Sequence, residues 1–99
     1  MEATLLARAK EVRDDGTIIE VVIWALETPL VPCAHNYKYR LYFGKPGECF
    51  VRYDNEPGKG DHRHYGEHES PYRFSTIEAL LADFGQDIEN WGLLREGDH

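Results

Sequence analysis

Apolar residues crowd two runs, Leu5 to Val12 and Thr17 to Leu26, on either side of Asp14-Asp15-Gly16. Asp-Gly between such runs is the strongest short-range hairpin signal, because tight hairpin turns need backbone at positive φ. A two-residue turn at Asp15-Gly16 sets Val12 opposite Ile19, Lys10 opposite Val21 and Arg8 opposite Ile23, but it also sets Glu11 against Glu20. Like charges directly opposite destabilise a ladder, so a loop one or two residues longer is the better expectation. Ile18 to Leu26 is apolar on both faces except at Glu20, the pattern of a central strand covered on one side by a helix.

Thr28-Pro29-Leu30-Val31-Pro32 breaks the pattern, since neither proline can donate to a ladder, and this segment is expected to cross the edge of the sheet. Alternation resumes at Tyr37. Tyr37, Tyr39, Leu41 and Phe43 share one face, and Lys38, Arg40 and Tyr42 the other. Gly44-Lys45-Pro46-Gly47 reads as a turn, and Glu48 to Asp54 as the next strand, with Cys49, Val51 and Tyr53 on one face and Phe50, Arg52 and Asp54 on the other. Matched registers bring Lys38 and Arg40 beside Arg52 and Asp54.

Asp54 to Phe74 reads as a long loop, and a helix follows it. Ser75 with Glu78 three residues on is a capping box. Ile77, Leu80, Leu81, Phe84, Ile88 and Trp91 recur at helical spacing as one apolar stripe, with Asp83, Gln86, Asp87 and Asn90 on the other side. Gly92 suits the left-handed cap position, and residues 93–99 read as a frayed tail. Strands followed by a helix, without alternation, predict an α+β domain over residues 1–99: a four-stranded antiparallel sheet of two hairpins, with the C-terminal amphipathic helix on one face.

Ninety-nine residues are enough for one core without disulfide staples. No apolar run approaches the roughly 18 residues of a membrane span, and Met1-Glu2-Ala3-Thr4 has neither a basic region nor a cleavage site. Cys33 and Cys49 stand in no metal-ligand spacing and read as reduced thiols, so a cytoplasmic protein with no membrane partner is expected. The net charge is −7, which opposes a surface that grips nucleic acid through phosphates alone. The charge is uneven, however. Residues 35–74 hold seven of the eleven basic residues, six acidic ones and four of the five histidines, so only this part can face a phosphate.

Within it, Arg52 to His64 gathers the groups that do chemistry. His62 and His64, one residue apart, project to one face if Asp61 to Tyr65 is extended, with Arg63 on the other. Two such imidazoles can divide acid and base work on a phosphodiester. Arg52, Lys59 or Arg63 can stabilise charge on the phosphate, with Lys38 and Arg40 as further contacts, and Asp54 or Asp61 can orient an imidazole. This chemistry describes a metal-independent ribonuclease using the substrate's own 2′-hydroxyl. A metal reading uses His62, His64, an aspartate and His68, but the basic surroundings oppose a cation, so no cofactor is expected. The bland alternative treats the histidines as ties for a surface loop, Arg52–Asp54 as an exposed pair and Asn55 as a turn residue. Its functional counterpart is a non-catalytic module that binds a protein or a small anion.

Arg52-Tyr53-Asp54-Asn55, Gly60-Asp61-His62-Arg63-His64, Pro71-Tyr72-Arg73-Phe74 and Leu80-Leu81-Ala82-Asp83-Phe84 together resemble the TumE family of small toxins. The Tyr37-Lys38-Tyr39-Arg40 strand fits the same pattern, so the likeness spans Tyr37 to Asp87. The resemblance implies the toxin half of a type II toxin–antitoxin pair, whose cognate antitoxin is usually a helix-turn-helix protein.

Overall fold

The computed structural model describes residues 3–97. Six strands, β1 (Ala3–Val12), β2 (Ile18–Leu26), β3 (Tyr37–Lys45), β4 (Glu48–Glu56), β5 (Gly60–Tyr65) and β6 (His68–Pro71), precede one helix, α1 (Ile77–Gly97). The strands form one antiparallel sheet in the order of the chain. The α+β class and the C-terminal helix stand, but the sheet has six strands where the sequence predicts four.

The two additional strands fall in the segment read as a loop. Their polarity hid them. On β5, His62 and His64 line one face, while Asp61 and Arg63 on the other find polar partners instead of apolar ones. No apolar alternation marks such a strand. The turn chemistry was present: Gly66-Glu67 is a two-residue connection between Tyr65 and His68, with Gly66 at φ 62°.

The first hairpin closes, as expected, with a loop one residue longer than an Asp-Gly turn, Asp14-Asp15-Gly16. The Arg13 amide donates to the Thr17 carbonyl and Gly16 to Arg13, so Glu11 faces Ile19 and Lys10 faces Glu20. The Glu11–Glu20 repulsion is thereby removed. Between β3 and β4 the register shifts after Phe43, and Phe50 turns to stack on Trp91 of the helix rather than sharing a face with Arg52.

The helix lies over one face of the sheet. Its Leu80 and Phe84 close a core of Ile23, Tyr39, Leu41, Phe43, Val51 and Tyr53. Three details differ from the periodicity. Thr76, not Ser75, caps the helix, its hydroxyl accepting the Ala79 amide at 3.0 Å. Leu81 is 40% exposed, while Asp87, expected on the solvent side, is buried and paired with Arg63. The helix runs through Gly92 to Gly97 instead of ending there; Asp98 and His99 of the expected tail lie outside the described residues.

Candidate active site on the helix-free face

Directly opposed residues of a ladder share a face, so the registers define what lines the side of the sheet away from the helix. One row crosses it as Arg8, Val22, Arg40, Asp54, His62 and Pro71. The next runs Lys10, Glu20, Tyr42, Arg52, His64 and Glu69. Where the rows meet β4 and β5, Arg52, Asp54, His62 and His64 form a square of neighbours. The extended conformation of β5 brings the imidazoles side by side, with ring centroids 5.6 Å apart.

His62 is buried. Its Nδ1 lies 3.2 Å from the Gly60 carbonyl and its Nε2 2.6 Å from Asp54 Oδ1, so both ring nitrogens face acceptor oxygens. His64 is placed differently. Its Nε2 lies 2.7 Å from Arg52 Nη2 and 2.5 Å from Glu69 Oε2. One nitrogen cannot serve both: a neutral ring accepts from the donor-only guanidinium, and a protonated ring donates to the carboxylate. Burial, and then the Arg52 guanidinium, hold the His64 imidazole below its ordinary pKa, against the smaller opposing effect of Glu69. The neutral form facing Arg52 is therefore favoured.

Arg52 Nε is 3.2 Å from Asp54 Oδ2. Yet Arg52 Nε and Asp54 Oδ1 are both buried and neither makes a well-directed hydrogen bond in the protein. Both atoms are held by close ion-pair contacts, Arg52 Nε with Asp54 and Asp54 Oδ1 with His62, more than by directed hydrogen bonds.

The other expected site residues are distributed around this square. Arg40 is exposed on the same face beside Asp54, its guanidinium 5.2 Å from the Tyr42 ring centre. The Lys38 ammonium is tied to the Asn55 carbonyl. Lys59, exposed in the β4–β5 turn, reaches the cluster through Glu69 at 3.5 Å. Arg63 does not join them. It faces the helix, where Asp87 accepts from Nε at 2.7 Å and from Nη2 at 2.9 Å, and Tyr53 Oη lies 3.0 Å from the same Nε. Glu69 went unnoticed in the sequence because the Gly66-Glu67 turn that pairs β6 with β5 lies in a segment read as a loop.

Two groups among the described residues have ligand atoms within 4.8 Å of one another: Asp54, His62 and His64; and Cys33, His35 and Asp61. In the first, the Arg52 guanidinium already sits among the donors as the local cation. In the second, His35 Nδ1 accepts the Tyr37 amide, which leaves the proton on Nε2 for Asp61 at 2.6 Å, so the nitrogen that faces Asp61 is already a donor. Tyr39 also donates to Asp61, at 2.7 Å. Burial pushes both thiols, Cys33 and Cys49, up, so neither is an activated nucleophile. A cleft of about 790 Å³ lies elsewhere, between the helix and the hairpin turns, lined by Phe50, Ile88 and Trp91 and by no histidine.

A family model described as Toxin TumE matches residues 2–92. The chain belongs to the TumE toxin family. Within this TumE-family chain the matched span includes both rows and the whole square of Arg52, Asp54, His62 and His64. Comparison with curated proteins and with solved structures finds no match. No helix among the described residues is long and apolar enough to cross a membrane.

Proposed function

We propose that this TumE-family toxin acts on RNA as a metal-independent ribonuclease, restrained by a cognate antitoxin of the helix-turn-helix class. The reading rests above all on one observation: two imidazoles lie side by side, ring centroids 5.6 Å apart, one against the Asp54 carboxylate and the other against the Arg52 guanidinium. His64, kept neutral, takes the proton of a 2′-hydroxyl, whose oxygen attacks the adjacent phosphorus. The bond from phosphorus to the 5′-oxygen breaks, and His62, its Nδ1 leaving the Gly60 carbonyl to meet the substrate, protonates that leaving oxygen. The products are a 2′,3′-cyclic phosphate and a free 5′-hydroxyl. Arg52, with Arg40, Lys38 and Lys59 around it, offsets the charge that grows on the phosphate oxygens.

The test is induced expression in a bacterium, with and without the neighbouring antitoxin gene. Growth arrest is expected from the native chain, and its loss in His62→Ala and in His64→Ala, each shown by circular dichroism to be folded. Variants that stay fully toxic would make this face a recognition surface for a protein or anion, not a catalytic site.

A further inference from the structure

The chain as a whole is acidic, at −7, yet the helix-free face is not. Its two rows carry Arg8, Lys10, Arg40 and Arg52 against Glu20, Asp54 and Glu69, four cations to three carboxylates, and at their border Lys38 is balanced by Glu56. Two of those carboxylates are engaged within the catalytic cluster, Asp54 by Arg52 and His62, and Glu69 by His64 and Lys59. Towards the β1 edge, Arg8, Lys10 and Arg40 stand exposed.

Two half-buried aromatic side chains, each partly open to solvent, are interleaved with these cations. Trp24 is the cross-strand partner of Lys38, and Tyr42 lies between Glu20 and Arg52. Tyr42 is anchored: its hydroxyl donates to the Lys45 carbonyl at 2.8 Å and lies 3.3 Å from that of Glu48. It leans over Gly44, where an added Cβ would meet the hydroxyl at 3.0 Å. The ring is thus held in place, with the Arg40 guanidinium against it. Unstacked bases bind to aromatic faces and guanidinium planes, while the backbone follows the cations.

We propose that a single strand of RNA lies across this open sheet face, entering at β1 over Arg8 and Lys10, passing Trp24, Tyr42 and Arg40, and reaching the imidazoles on β5. The proposal rests on the ribonuclease reading and names how its substrate is held. Four inter-strand steps separate β1 from β5, about 19 Å at the usual strand spacing, the reach of a few nucleotides. Splayed bases on fixed rings suit a single strand. A duplex keeps its bases stacked inside and has no use for Trp24 or Tyr42.

The test measures binding of a fluorescent oligouridylate to the His62→Ala chain, which removes cleavage, across a salt series. Arg8→Glu with Lys10→Glu alters exposed side chains of an edge strand and should fold normally by circular dichroism. Affinity is expected to fall at least about tenfold. The slope of log K against log salt is expected to become shallower by about 1.4, or about 0.7 for each phosphate of a single strand that is no longer neutralised. Trp24→Ala is expected to weaken binding with the slope unchanged. Equal affinity and slope after the double charge reversal would overturn the track. Cleavage by the His62-containing chain with binding unaffected by the reversal removes the track alone. Track-dependent binding with no cleavage removes the ribonuclease reading and supports the track.

Discussion

Asn55 sits in the most polar stretch of the chain, where a turn residue was the natural reading, and it is fully buried. Its Oδ1 accepts the Tyr39 amide at 3.0 Å, and its Nδ2 donates to the Tyr37 carbonyl at 2.7 Å. The side chain continues the β3–β4 ladder past its last backbone pair, Arg40 with Asp54. Asn55→Ala leaves a buried amide and a buried carbonyl unpaired and should cost about 2–4 kcal/mol; an unchanged urea midpoint would contradict this role. His64 makes the second prediction at this scale. Burial lowers its pKa most, Arg52 lowers it further and Glu69 raises it, with Asp54 a further raising and His62 a further lowering influence. Arg52→Gln should therefore move the His64 titration up and Glu69→Gln move it down, as read from imidazole resonances in NMR; shifts in the same direction would contradict the arrangement. With the folded pKa below the ordinary 6.5, the unfolded chain binds the proton more readily. His64 then contributes to stability above about pH 6.5 and loses that contribution as the pH falls through the window beneath it.

At the scale of elements, what the sequence made legible follows from what each element buries. β1 to β4 carry apolar residues on at least one face, and their pairing, the turn between β3 and β4 and the sharing of a face by Arg40, Arg52 and Asp54 could be read from alternation. The helix was legible for the same reason, and Phe84 is its deepest test. Phe84 is 3% exposed and packs edge-on to Tyr53 at 6.0 Å. Phe84→Ala should cost about 3–5 kcal/mol, seen as a lower unfolding midpoint in urea; no change would place the core elsewhere. β5 escaped because its inward residues are charged. Arg63 is matched by Asp87, one helical turn beyond Phe84, so a salt bridge does there what an apolar contact does elsewhere. The same pairing took Asp87 off the solvent face and turned Arg63 to the helix side of the sheet, away from His62 and His64.

At the scale of the whole molecule, the sheet separates two tasks. One face is packed under the helix and holds the fold; the other carries the imidazoles, their carboxylate and the cations. His62 and His64 were recognisable as a pair on one face because any extended strand alternates, but their meeting with Arg52 and Asp54 needed the β4–β5 register, which no local signal supplies. The central claim is that these two histidines cleave RNA, and the most direct measurement is made on purified chain incubated with single-stranded RNA in excess chelator. The account predicts fragments ending in 2′,3′-cyclic phosphate from the native chain, and none from His62→Ala or His64→Ala. Identical fragments from the double alanine variant, or cleavage abolished by the chelator, would contradict it.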